Sequence, residues 1–188
     1  MKLLILGHAR HGKTTAANVF EEEGWATEDS SVFACRHVIY PKWGRHRYDS
    51  PEACHADRSR HRAKWFQMIR DYNSPDGARL AREMLAYSDI YAGMRRIEEF
   101  EACKKQGLFD LIIWVNAEHR KPVEGAESME LDAHVADIII DNNDDPQEFD
   151  HRCRRLAKAL RSLRSIERPH PVSKSPFSVP TLPFKHLP

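Results

Sequence analysis

Residues 3 to 14 read Leu3-Leu4-Ile5-Leu6-Gly7-His8-Ala9-Arg10-His11-Gly12-Lys13-Thr14. Four apolar residues run into a complete G-x-x-x-x-G-K-[ST] phosphate-loop motif, which has chemical meaning only between a buried strand and a helix N-terminus. The flanks meet that condition. Residues 2–6 predict a core strand, and residues 13–23, with Ala16, Ala17, Val19 and Phe20 on one stripe, predict the helix, which Gly24 stops. Gly7 and Gly12 let the backbone fold so that loop N–H groups, His8 to Thr15 included, converge on an anion beside the positive end of the helix dipole. Lys13 is then expected to reach the β- and γ-phosphates of ATP, with the Thr14 hydroxyl on Mg²⁺.

The rest of the chain supplies the remaining layers. Trp25–Glu28, Ile90–Met94, Leu111–Val115 and Val135–Ile140 predict further strands. The last two are nearly all apolar, as strands buried on both faces are. Helices are expected at 51–71, after Ser74-Pro75 (Ser74 as cap, Pro75 at the first position), at 96–106 and at 146–166. Pro41 is expected to break the apolar run 32–40. Strands alternating with helices predict an α/β fold of three layers, a parallel sheet flanked by helices, with the site at the carboxyl ends of the strands. One domain over 1–168 and an extended or disordered tail over 169–188, which holds six prolines, follow from composition.

A net charge of +1 over 188 residues argues neither for nor against a polyanionic partner. The four cysteines are widely spread and form no C-x-x-C pair, so neither a disulfide framework nor a zinc finger is expected, and a reducing cytoplasm fits best. No apolar stretch approaches the ~18 residues of a membrane span.

Several residues near the expected cleft can carry chemistry. Asp29, ending the second strand, either orients an acceptor hydroxyl or caps the next helix. Ser30 follows it, and Arg95 stands where an acceptor phosphate would be held. The stretch 36–62, with Arg36, Arg58 and Arg62 among its bases and Trp43 and Tyr48 among its aromatics, suits backbone phosphates and base stacking, or is a solvated basic face. Arg120 is placed either as a lid arginine for the transition state or on a charged loop. Arg10 and His11 touch phosphate or face solvent. Asn142 and Asn143 meet an adenine edge or make a turn. Asp89 is a weak candidate for a second metal contact. The basic side of the last helix is read as solvated, with nucleic-acid contact as the alternative.

Gly7–Thr14, Asp29-Ser30-Ser31, Asp71-Tyr72-Asn73 through Leu80-Ala81-Arg82-Glu83, Tyr91-Ala92-Gly93-Met94-Arg95 and Ala136–Asn143 together resemble bacteriophage P-loop kinases. These are the deoxynucleoside monophosphate kinases, with a similar branch of 5-hydroxymethyluracil DNA kinases, grouped with the thymidylate kinases. The likeness spans about residues 1 to 160. The pair Thr14-Thr15 departs from it, since several relatives carry Asp before the Thr, so either hydroxyl can serve Mg²⁺. The resemblance implies a P-loop kinase fold and an enzyme of the infected host's cytoplasm. It also implies ATP-dependent phosphorylation of the hydroxymethyl group of 5-hydroxymethyluracil within phage DNA, or of a free deoxynucleoside monophosphate. Lys13, Asp29 and Arg120 would be catalytic, and Ser30, Arg36, Arg58, Arg62 and Arg95 would bind the acceptor. A base in duplex DNA would have to leave the stack. A nucleotide-dependent switch is the third reading, and it wants a guanine-specificity motif or a carboxylate at a strand end.

Overall fold

The computed structural model describes residues 1–167. The proline-rich segment 169–188 lies outside the described residues. Five strands occur among them: β1 (Leu3–Leu6), β2 (Thr27–Asp29), β3 (Ile90–Ala92), β4 (Leu111–Asn116) and β5 (Ile138–Asp141). All pair in parallel, in the order β2-β3-β1-β4-β5. The helices are α1 (Lys13–Glu22), α2 (Ser30–Ala34), α3 (Tyr40–Lys42), α4 (Pro51–Ala56), α5 (Arg62–Asn73), α6 (Arg79–Leu85), α7 (Ile97–Lys105) and α8 (Pro146–Glu167).

The unbroken apolar character of β1 follows from cover on both faces. Leu3 and Ile5 point to one side, where Val19 and Phe20 of α1 and Phe149 and Ala157 of α8 join Ile113, Val115 and Ile140. Leu4 and Leu6 point to the other, into a cluster with Trp114, Phe33 of α2, Trp65 of α5, Met84 of α6 and Phe100 of α7. Each fully buried side chain of this size contributes ~1.5–3 kcal/mol relative to exposure. The result is a three-layer α/β fold, as the alternation of elements predicted.

Four local expectations are corrected. The helix expected over 51–71 is two helices, α4 and α5, parted by a tight turn at Arg58–His61. The polar run Asp57 to Arg62 has no apolar residue to hold an inner face, and Asp57 takes the Tyr48 hydroxyl at 2.9 Å and His61 at 3.3 Å instead. Pro41 does not end the preceding helix. A wide π turn at Cys35–Ile39 resets the register, and Pro41 sits inside α3. Ser74 closes α5 and is joined to Pro75 by a cis peptide, and α6 begins at Arg79. Its Leu80 N–H is taken by the Asn73 side chain at 2.9 Å. Residues 135–137 do not belong to β5, because Ala133–Val135 is a 3-10 turn started by Asp132.

Asp89 stands at the amino end of β3, across the sheet from the loop 7–14. Arg164 of α8 holds both its oxygens, at 2.7 and 3.1 Å, and Ala26 N–H adds a bond at 3.2 Å. Burial alone would raise its carboxyl pKa, but the Arg164 and Ala26 hydrogen bonds outweigh it and hold the group below the ordinary range. Asp89 is a staple between sheet and helix, not a metal ligand. Other arginines of α8 are likewise paired: Arg152 with Asp141 and Asp144, Arg154 with Glu22, Glu23 and Asp150, and Arg161 with the Glu23 carbonyl. The expected solvated basic side is thus largely neutralised by partners, which also weakens the nucleic-acid alternative for this helix.

Candidate active site

Because every strand runs the same way, one edge of the sheet collects Gly7, Asp29, Gly93, Ala117 and Asn142 just at or beyond the strand ends. The loop leaving β1 turns at Gly7 (φ 142°), Arg10 (φ 65°) and Gly12 (φ 108°), and Gly12 opens α1 without any side-chain cap. Asn142 Nδ2 pins the loop by donating to the His11 carbonyl at 2.8 Å. Lys13 folds back along the loop and donates to the His8 carbonyl at 2.8 Å. Burial lowers its pKa, the Arg95 charge lowers it further, and Glu124 and Asp29 oppose both, leaving it at about 8. Those perturbers place Lys13, Arg95, Glu124 and Asp29 in one electrostatic cluster. Thr14 and Thr15 are exposed on the first turn of α1, as is Arg10 within the loop.

The connection from β4 to β5 lies over this loop. Ala9 N–H donates to Glu124 Oε2 at 2.5 Å, Arg95 Nη1 donates to Glu124 Oε1 at 2.8 Å, and Glu124 N–H donates to His8 Nδ1 at 3.2 Å. His11 is wholly buried. Its Nδ1 accepts Ala117 N–H at 3.1 Å, so Nε2 carries the proton that reaches the Pro122 carbonyl at 3.3 Å. The His11 side chain therefore does not face solvent; it clamps the covering segment. His8, edge-on to Trp114, has its pKa lowered by burial and by His11, which keeps Nδ1 an acceptor. Glu124 stays ionised: burial opposes this, but Arg95 and Ala9 N–H outweigh it.

Asp29 ends β2 and caps α2, so the capping reading of this residue holds. Oδ1 accepts from Ser31 N, Ser31 Oγ and Val32 N, at 2.7, 2.6 and 3.2 Å. Ser30 turns its hydroxyl to the Ala92 carbonyl at 2.5 Å, bracing β2 against β3. Arg36 lies between Glu28 and Glu52, at 3.8 and 3.5 Å, while Arg58 donates to the His55 carbonyl at 3.2 Å. Arg36 and Arg58 both bear on His55, close to Asp29. Arg62 is exposed on the first turn of α5. Arg120 is held beside the residue that pins the loop, donating to the Asp144 carbonyl at 2.6 Å and to Asn142 Oδ1 at 3.4 Å. Asn143 accepts His119 N–H at 2.9 Å, which ties the segment after β5 to the one after β4.

Beside the cluster, a cleft of about 500 Å³ opens between α5 and α7, lined by Phe66, Ile69, Arg70, Asn73, Arg96 and Glu99. Consecutive arginines divide the two spaces: Arg95 turns to the loop, and Arg96 lies over the Phe66 ring, 3.9 Å from its centre. Glu99, bonded to the Tyr91 hydroxyl at 3.0 Å, has its pKa pushed up to about 7 by burial, against the hydrogen bonds of Tyr91 and Asn73. Sequence reasoning missed Glu124, the histidine clamp and this cleft. The clamp residues stand in the motif's variable positions, and Glu124 sits in a segment without periodicity.

No protein-family model matches the chain, and no curated protein matches it. Among the described residues no helix is long and apolar enough to cross a membrane.

Proposed function

We propose that the chain is an ATP-dependent phosphotransferase whose acceptor is the hydroxymethyl group of 5-hydroxymethyldeoxyuridine in phage DNA, acting in the host cytoplasm. The observation that carries the reaction class is a loop with the phosphate-binding motif at the carboxyl end of the central strand of a parallel sheet, with Arg95 tied to that loop through Glu124 and Asp29 ending a strand at the same edge. Phosphoryl transfer asks for cations around the moving group and an oriented acceptor, and little else from the protein. Lys13 and Arg95 serve the first need, and Asp29 the second. Mg²⁺, held by Thr14 or Thr15 with phosphate oxygens, would neutralise charge on the β- and γ-phosphates. The cleft between α5 and α7, lined by Arg96 though not by Lys13, Arg95 or Asp29, has the size of a small-ligand site. The resemblance described above supports the choice of acceptor.

The test supplies γ-labelled ATP with either hydroxymethyluracil-containing DNA or a panel of free deoxynucleoside monophosphates. Label in DNA is the expected result. Label on monophosphates alone would move the acceptor to the free nucleotide, and no label in either arm would end the phosphotransferase reading.

Glu124 occupies two of the donors that a phosphate would use, Ala9 N–H and Arg95. On this reading it competes with the incoming triphosphate. Charge-assisted bonds of this kind are worth ~1.5–3 kcal/mol, so Glu124→Ala is expected to tighten ATP binding about tenfold by calorimetry. Binding that weakens would mean that the carboxylate supports the nucleotide instead.

A further inference from the structure

The Asp29 carboxylate is the inner end of a hydrogen-bonded chain that continues through Ser31 to His55. Ser31 Oγ lies 2.6 Å from Asp29 Oδ1 and 2.8 Å from His55 Nε2. Ser31 has one hydroxyl proton, and an ionised carboxylate can only accept, so that proton goes to Asp29. The Ser31 oxygen must then accept from His55, which fixes the proton of the imidazole on Nε2. Every bond to Asp29 falls on Oδ1: the Ser31 hydroxyl and the N–H groups of Ser31 and Val32. Oδ2 has no protein partner among the described residues.

We propose that Ser31 and His55 are positioning residues, which lock Asp29 Oδ1 so that Oδ2 is presented to the acceptor hydroxyl as its general base. This rests on the phosphotransferase reading and deepens it. In the step, an oxygen lone pair of the acceptor attacks the γ-phosphorus and forms the new O–P bond. The bond from that phosphorus to the bridging oxygen breaks, ADP leaves with its electron pair, and the acceptor proton passes to Asp29 Oδ2. A monophosphate acceptor is already an anion and needs no such base, whereas an alcohol does. The chain therefore matches an alcohol acceptor in particular.

His55 is suited to the role by its surroundings. It is half-buried against Trp65, with ring centres 6.0 Å apart. Burial and the nearby Arg58 charge lower its pKa, with Arg36 adding to the effect and Asp29 opposing it. A neutral imidazole orients the carboxylate through Ser31 without bringing in a cation that would compete with the acceptor proton. Its ring is placed by α4 and the Ser31 backbone by α2, so the chain ties the two sides of this helical lobe to the end of β2.

The test compares Ser31→Ala and His55→Leu with Ser31→Thr and His55→Gln, on hydroxymethyluracil-containing DNA under saturating ATP. The two deletions are expected to lower kcat about tenfold, a fraction of the 10²–10⁴ that a positioned base contributes, with KM for ATP unchanged. The two conservative variants, which keep a donor at each place, should restore most of the rate. A purely structural role would instead lower melting temperature and active fraction in all four alike. Deletion variants within twofold of the wild type overturn the proposal. If the wild type itself labels no hydroxyl, the phosphotransferase assignment fails rather than this chain. Should His55→Leu not fold, Ser31→Ala decides the matter alone, since Asp29 keeps its two backbone cap bonds in that variant.

Discussion

Lys13→Ala is expected to lower phosphotransfer by roughly a thousandfold or more while the protein melts at an unchanged or slightly higher temperature. The two halves of that expectation have separate causes. A preorganised donor aimed at transition-state charge is worth 10²–10³ in rate in typical cases, and cationic groups on a transferring phosphoryl about 10³–10⁵. Lys13 is the cation whose backbone position the loop itself dictates, and Arg95 beside it cannot take over its place. Stability runs the other way. Burial and the Arg95 charge hold the Lys13 pKa at about 8, well below an ordinary lysine, so the folded state disfavours the protonated form. That destabilising contribution is present at neutral pH and fades as pH rises through 8 towards the unfolded value near 10.5. Alanine removes it, leaving only the His8 carbonyl without its donor. Full activity in Lys13→Ala would sink the reading of the loop. A large fall in melting temperature would show that the lysine stabilises the fold instead.

What could be read from sequence followed local rules, and what could not depended on contacts between distant segments. Leu3–Leu6 and Leu111–Val115 announced strands covered on both faces because burial on two sides leaves no polar alternation to see. The motif at 7–14 announced its loop because glycine is favoured where φ is positive, and Gly7 and Gly12 stand at such positions. Arg95 and Asp29 were legible from their places at strand ends. The helical lobe between β2 and β3 was legible only in outline. The break at Asp57 and the late start of α6 each rest on side chains from outside the helix concerned, Tyr48 reaching Asp57 and Asn73 taking the Leu80 N–H. Glu124 shows the same limit within the site: it meets Ala9 from 115 residues away, and nothing in its own neighbourhood marks it. His55 lies within the basic stretch 36–62 with nothing local to single it out, because its partner Ser31 is 24 residues earlier.

Gly7→Ala should cost stability as well as function, by about 3 kcal/mol, and lower the melting temperature by roughly 10 °C. Gly7 has φ of 142°, which L side chains rarely adopt, and a Cβ there would stand 2.5 Å from the Val115 carbonyl oxygen. That oxygen belongs to the backbone of β4, which is fixed between β1 and β5 with Trp114 and Val115 buried, so it cannot give way as a side-chain end could. Either β4 shifts and breaks its register with Ile140, or the loop rises off the sheet and carries Lys13 with it. Gly107→Ala is the matched control. It too has positive φ, 62°, but nothing lies within 4 Å of the added methyl group, so only the backbone strain of ~1–2 kcal/mol applies. The difference between the two melting temperatures isolates the steric contact at the strand-to-loop junction. Equal shifts would mean that β4 accommodates a side chain there, and that the glycine serves the loop's conformation rather than its close approach to the neighbouring strand.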